Sequence, residues 1–164
     1  MFGPHSVDNP AEHESLIRAW RSGRIVMELG KLVAVRRRRT VGSVSIAGVW
    51  WQAKFRRPVG DVCYLDYHQP LGMKGVLTLD FVISGDAASL QTCIGARHVL
   101  ESIAEIRGAL LIVTHVSNAS ISDRFMIRAG WQRHLANDSG RHWVRRFYDG
   151  YPACQLHRYL KVRA

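Results

Sequence analysis

The middle of the chain restricts its fold more than any other part. Gly75 to Ile83 is a nearly unbroken apolar run. Ala88 to Arg107 then sets Leu90, Ile94, Val99, Leu100, Ile103 and Ile106 near helical spacing, and Ala109 to Val113 is apolar again. Runs of this kind are strands buried on both faces, and the segment between them is a helix. Ser84-Gly85-Asp86 ends the first strand, and Gly108 closes the helix. A strand, crossover helix and strand in this order require a parallel or locally splayed pair, and flanking hairpins make the sheet mixed.

Hairpins flank this unit. Leu32 to Val35 and Val41 to Ile46 read as two strands with Arg36, Arg37, Arg38 and Arg39 at their tip, where charge is tolerated and protects the sheet edge. Trp50 to Arg57 extends the second of them, residues 57 to 61 form a turn, and the aromatic stretch Val62 to Pro70 is a strand or a functional loop. Towards the C-terminus, Ser122 caps a short helix through Arg128 that Ala129-Gly130 ends. Trp131 to Leu135 and Arg141 to Tyr148 form a second hairpin across the turn Asn137 to Gly140. Near the start, Asn9-Pro10 with Glu12 reads as the cap of a helix carrying Leu16, Ile17 and Trp20, with Gly23 as its stop; Ile25 to Leu29 is a short helix or a connector. Residues 1 to 8 are expected to be a flexible terminus and residues 9 to 164 one domain. The sum is an α/β fold with a mixed, centrally splayed sheet flanked by helices. Its crevice is expected at the strand carboxyl ends, near residues 83 to 95 and 114 to 120.

Charge enters next. The chain of 164 residues has 23 Lys plus Arg against 13 Asp plus Glu, a formal net charge of +10. The surplus divides evenly between the halves, so no basic arm stands out, although the arginine run and the stretch after Arg124 bunch it locally. Such clusters suit a polyanion, a phosphorylated cofactor or plain solvated surface. Three cysteines, no signal-peptide pattern and no membrane-length apolar run point to a soluble cytoplasmic protein.

The element order resembles the GCN5-related N-acetyltransferase (GNAT) superfamily. Leu32 to Val35 with Val41 to Val44 are similar to its second and third strands and Leu79 to Ile83 to its fourth. Asn118 through Phe125 to Gly130-Trp131 is similar to its segment from fifth strand to fourth helix. The resemblance implies an acyl-CoA N-acyltransferase fold that takes acetyl-CoA or another acyl-CoA as co-substrate and passes the acyl group to the amine of a small molecule or peptide. By the same resemblance Phe81, Val82 and Ile83 would pair with the pantetheine arm. Gln91, Cys93, Ile94, Gly95, Ala96 and Arg97 would form the diphosphate turn at the helix start, where backbone donors and the dipole favour anions, and Asn118 would line the cofactor.

Departures from the family pattern are specific. The family's turn is Gln or Arg, two residues, Gly, one residue, Gly or Ala, whereas this chain has Leu90-Gln91-Thr92-Cys93-Ile94-Gly95 and a longer preceding loop. In that loop Asp86 would put a carboxylate where phosphate belongs if it capped the helix. The family's catalytic Tyr position holds Met126, which cannot protonate a leaving thiolate. Asp80 and His115 are the candidate bases, with Tyr67 and His68 behind them.

Two rival chemistries remain. Cys63-His68, Cys93-His98 and Cys154-His157 suggest zinc only superficially, because helical residues five apart diverge in direction. Cys93 at a helix start is open to acidification but lacks a sequence-placed histidine partner. Arg36 to Arg39, Arg56, Arg57, Arg145, Arg146, Arg158, Lys161 and Arg163 alternate with Trp50, Trp51, Trp143, Phe147, Tyr148 and Tyr159, a composition that suits nucleic acid without matching a known motif. The alternative function is therefore a catalytically inactive module of the same fold whose basic surface meets nucleic acid or an acidic partner.

Overall fold

The computed structural model describes residues 5–39, 58–117, 121–135 and 140–162. Eight strands form one mixed sheet: β1 Ser6–Val7, β2 Ser22–Glu28, β3 Lys31–Arg37, β4 Val62–His68, β5 Val76–Ser84, β6 Leu111–His115, β7 Gln132–His134 and β8 His142–Arg146. Their order is β1-β3-β2-β4-β5-β6-β8-β7. Every pairing is antiparallel except β5 with β6, the pair joined by the crossover helix. The described residues also form helices α1 Glu14–Ala19, α2 Leu90–Arg107 and α3 Asp123–Arg128, with a 3-10 turn at Leu156–Arg158. The expected mixed α/β sheet is present, with few helices around it.

Helix α2 forms where the spacing predicts it. Its start is fixed by Ser89, whose hydroxyl accepts from the Thr92 N–H at 3.2 Å, and its end by Gly108 at φ +66°, a left-handed position that glycine adopts without a Cβ penalty. It buries Ala96, Val99, Leu100, Ile103 and Ala104 in one core with Ile25, Met27, Leu32 and Val35 of β2 and β3, Cys63, Leu65 and Tyr67 of β4, and Leu77 and Ile112 of the parallel pair. Alternation in β4 sends Cys63, Leu65 and Tyr67 to the helix side and leaves Tyr64, Asp66 and His68 on the opposite face.

Several expectations need correction. Ile25 to Leu29 is neither helix nor connector: residues 22 to 28 are β2, which pairs with β3 through the two-residue turn Leu29-Gly30. The partner expected for β3, residues 41 to 46, lies outside the described residues, as do Trp50 to Arg57. The arginines are not a hairpin tip, since Arg36 and Arg37 belong to β3 and the Arg38 N–H donates to the Ser22 carbonyl. Asn9 does not cap the first helix. Its side chain accepts from the Ala11 N–H and donates to Glu12 within a turn, and α1 begins at Glu14. Gly23 sits in β2 because a Cβ there would fall 2.6 Å from the Tyr67 hydroxyl. In the stretch expected to be flexible, Ser6 and Val7 pair with Arg36 and Val35. No helix among the described residues is long and apolar enough to cross a membrane.

Candidate functional site

The parallel ladder between β5 and β6 is short. It runs from Val76↔Leu111 to Leu79↔Thr114 and stops, although β5 continues to Ser84 along β4. The Thr114 hydroxyl donates to the Leu79 carbonyl at 3.1 Å at the point of divergence, and the Val116 N–H donates to the Arg141 carbonyl. Beyond Leu79, β5 has no ladder partner on its β6 side among the described residues. The pairing thus ends at the carboxyl ends of the parallel strands, the position where the crossover topology places a crevice.

Asp80 stands at the mouth of this divergence. The β4–β5 register steps from Asp66↔Phe81 to Tyr67↔Leu79, so Asp80 is the extra residue of a β-bulge, a device that re-aims a side chain. Its carboxylate lies 2.7 Å from Nδ1 of His68. Burial raises the Asp80 carboxyl above the ordinary aspartate range, against the opposing pull of His68 and Arg38. A carboxylate held this way is a stronger base than an exposed one, and an imidazole at hydrogen-bond distance can share the proton.

A second carboxylate adjoins it. Asp66, 2% exposed, is gripped by Arg24 through two hydrogen bonds of 2.7 and 2.8 Å and by Arg38 Nη1 at 3.2 Å. Arg24 in turn lies over the Tyr64 ring at 5.6 Å, and its hydrogen bond to Asp66 raises its already high pKa. Asp66 thus fixes two guanidinium groups beside Asp80 rather than serving as a free base.

The other predicted site residues separate. His115 does not meet Asp80; its ring packs on His142 at 4.8 Å, its cross-strand neighbour. Phe81, Val82 and Ile83 pair with β4 and have no ladder partner on their β6 side among the described residues, with Val82 49% exposed. Gln91 is exposed beside the Leu29-Gly30 turn. Cys93 meets Cys63 of β4, and that hydrogen bond lowers the Cys93 thiol to about 7 while raising Cys63. Ile94 is half-buried. Gly95 and Ala96 are buried in the core, and a Cβ on Gly95 would fall 2.6 Å from Met27 and 2.8 Å from Tyr159. Arg97 donates to the Ala129 carbonyl at 2.8 Å. Asn118 lies outside the described residues. Met126 is buried and brings no hydroxyl to the crevice.

The expected diphosphate turn is closed by protein. Asp86 does not cap α2; its carboxylate accepts from the Gly60 N–H at 2.6 Å. A carboxylate does occupy the helix start, but it is that of Asp61, which accepts from the Ser89 N–H at 2.7 Å and the Ser89 hydroxyl at 3.0 Å. These contacts pull the Asp61 pKa down. The N–H groups of Gly85, Asp86 and Ala87 donate to the carbonyls of Val62, Pro58 and Gly60, and that of Ala88 to Gly85. A Cβ on Gly85 would overlap the Gly60 carbonyl. The N–H groups of residues 85 to 89 and of Thr92 and Cys93 are already spent inside the chain and a carboxylate sits at the helix start, a poor fit to the diphosphate of a CoA nucleotide.

Sequence reasoning proposed Asp80 and His68 separately and missed Asp61, Asp66, Arg24 and Arg38. The alternation of Tyr64, Asp66 and His68 at i, i+2, i+4 was the available signal for a polar sheet face. Of the aromatics proposed to stack on nucleic acid, Trp143, Phe147 and Tyr159 are buried, whereas Tyr148 is exposed. Trp50, Trp51, Arg56, Arg57 and Arg163 lie outside the described residues.

No protein-family model and no curated protein matches the chain. Among solved structures, a "putative acetyltransferase of the GNAT family" from Desulfovibrio desulfuricans is similar at 13% identity and a TM-score of 0.40. The match covers 50% of this chain and 57% of that one. At that level the likeness assigns neither fold nor activity, and the site has to be judged on its own geometry.

Proposed function

We propose that the chain transfers an acyl group from a thioester to an amine at the β5–β6 divergence. The observation that carries this reading is the coincidence of a strand edge, Asp80 to Ser84, that has no partner on its β6 side among the described residues, with a bulged, half-buried Asp80 that holds His68 at 2.7 Å. A pantetheine-type arm contains two amides, and an open strand edge is what such amides pair with. In the reaction the amine nitrogen forms a bond to the thioester carbonyl carbon and the C–S bond breaks. Asp80, sharing charge with His68, takes the proton the amine loses. With Met126 at the position where a hydroxyl would protonate the leaving sulfur, the thiolate takes its proton from solvent.

Acyl-CoA enters this proposal only through its arm. Because Asp61 and the 58–62 backbone consume the donors around Ser89, the nucleotide end contributes no binding there. Acetyl-CoA and S-acetylpantetheine are therefore expected to stabilise the protein to similar extents in a thermal-shift titration. A strong preference for acetyl-CoA would contradict the donor assignment. No response to either would favour the second reading, a non-catalytic module of this fold, to which the filled turn and Met126 also lend support.

A further inference from the structure

At the other end of β5 lies a cavity of about 290 Å³ lined by Arg18, Gln69, Lys74 and Arg107. Arg107 is the last residue of α2 and Lys74 precedes β5, so this cavity lies at the end of β5 away from Ser84; Gln69 follows His68 in the chain, but no residue of the acyl-transfer reading lines the cavity. Its lining holds three cationic side chains and no carboxylate.

Arg107 is the informative residue. Its guanidinium donates to the carbonyls of Ile17 and Trp20 at 2.6 Å and of Arg18 at 3.2 Å, and also to Oε1 of Gln69. Every partner is neutral, so a half-buried charge is met by dipoles alone. Burial without a counter-charge lowers its pKa. Its Nε, and the hydroxyl of the fully buried Tyr67 that feels its charge, have no hydrogen-bond partner among the described residues. Buried charge and buried donors left this way are costly unless something else supplies the acceptor.

Of the remaining lining groups, Gln69 is spent inside the chain and the cations are left to meet a ligand. Gln69 turns its amide N–H toward the carbonyls of Lys74 at 2.8 Å and Met73 at 3.3 Å, fixing the loop that carries Lys74. Arg21 adds a further cation by donating to the Gln69 carbonyl at 3.1 Å. Among the described residues Arg18 pairs with Glu14 at 3.3 Å on its own helix, both exposed, an interaction of little strength. Lys74 makes no ion pair with a described carboxylate. Three cations in the lining of a concavity, with Glu14 outside that lining, raise the local potential and concentrate anions there.

We infer that this cavity is a binding site for a small phosphate monoester, with Lys74 and Arg18 contacting the phosphate and Arg107, held by Gln69, setting the positive floor. A dianion matches the excess charge, and the volume leaves room for a small polar body beyond the phosphate.

The test uses glycerol 3-phosphate as probe, titrated into the full chain at fixed ionic strength and followed by melting temperature and calorimetry, with glycerol and sodium chloride as controls. Wild type is compared with an Arg18→Gln/Lys74→Gln double variant, both positions being exposed so that the fold survives. The expected result is saturable stabilisation of wild type and binding about tenfold weaker or worse in the double variant. Equal responses from the two proteins, no effect beyond chloride, or binding shown only by long polyanions such as duplex DNA would each overturn the proposal.

Discussion

The carboxylate of Asp61 accepts two hydrogen bonds from Ser89, one from its backbone N–H at 2.7 Å and one from its hydroxyl at 3.0 Å. Ser89 is itself the cap of α2, so Asp61 ties the loop before β4 to the start of the longest helix. Its pKa is held below the ordinary aspartate value by these bonds. A lowered acid contributes stability that is present above the unfolded pKa and is lost as pH falls through the folded one. Asp61→Asn is therefore expected to lower the melting temperature at neutral pH, with the difference from wild type shrinking as pH drops below about 4. Melting curves across that range check it.

Asp80 has the opposite sign. Burial raises its folded pKa, so the folded state holds the proton more tightly than the unfolded chain. Stability is greatest below the ordinary aspartate range and declines as pH rises through the raised value. Asp80→Asn is expected to leave the melting temperature unchanged or higher at neutral pH while abolishing acyl transfer. Loss of both together would mean that Asp80 is a structural residue.

Asp66 is a structural anchor. Removing it takes the shared acceptor from Arg24 and Arg38, which are themselves partly exposed, a loss of about 1–3 kcal/mol. Asp66→Ala is expected to show that loss in a urea denaturation series. Asp66→Glu, which keeps the charge, is expected to lose less.

Gly95 belongs to the core, since its Cβ direction is filled by Met27 and Tyr159. Gly95→Val is expected to destabilise by about 1–3 kcal/mol through overpacking and to leave the affinity of the folded protein for S-acetylpantetheine unchanged. A selective loss of thioester affinity with intact stability would return Gly95 to a ligand turn.

The Leu29-Gly30 turn shows why part of the fold was hidden in the sequence. Both residues have positive φ, 50° and 72°, as a tight hairpin turn requires. Asn-Gly is the recognisable signal for such a turn and Leu-Gly is not. Tertiary contacts compensate: the Gly30 N–H donates to the Thr92 hydroxyl at 2.8 Å, and the Leu29 N–H to the Asp61 carbonyl at 2.9 Å. Leu29→Asn is expected to stabilise by about 1 kcal/mol by relieving the left-handed strain at an exposed position, measurable by denaturant titration.

By contrast, the crossover unit was legible because α2 carries its own start and stop, Ser89 and Gly108, and because its two strands are largely apolar, although of their residues only Leu77 and Ile112 are buried, not both faces as expected. The short helix α3 was legible for the same reason, with Ser122 accepting from the Phe125 N–H. The site was only half legible. Asp80 stood out as a carboxylate in an apolar strand, but its pairing with His68 depends on strand register and a bulge, which no local pattern encodes. The closing of the helix start by Asp61 is a contact across 28 residues, beyond the reach of a motif that reads only the glycine spacing.

The most direct test of the account is an amide chemical-shift titration of the nitrogen-15-labelled chain with S-acetylpantetheine. Shifts concentrated at Asp80 to Ser84 and at Thr114, with Ala88 to Cys93 unmoved, are the predicted result. Shifts at Ser89 to Cys93 with β5 silent, or no shifts at all, would contradict it.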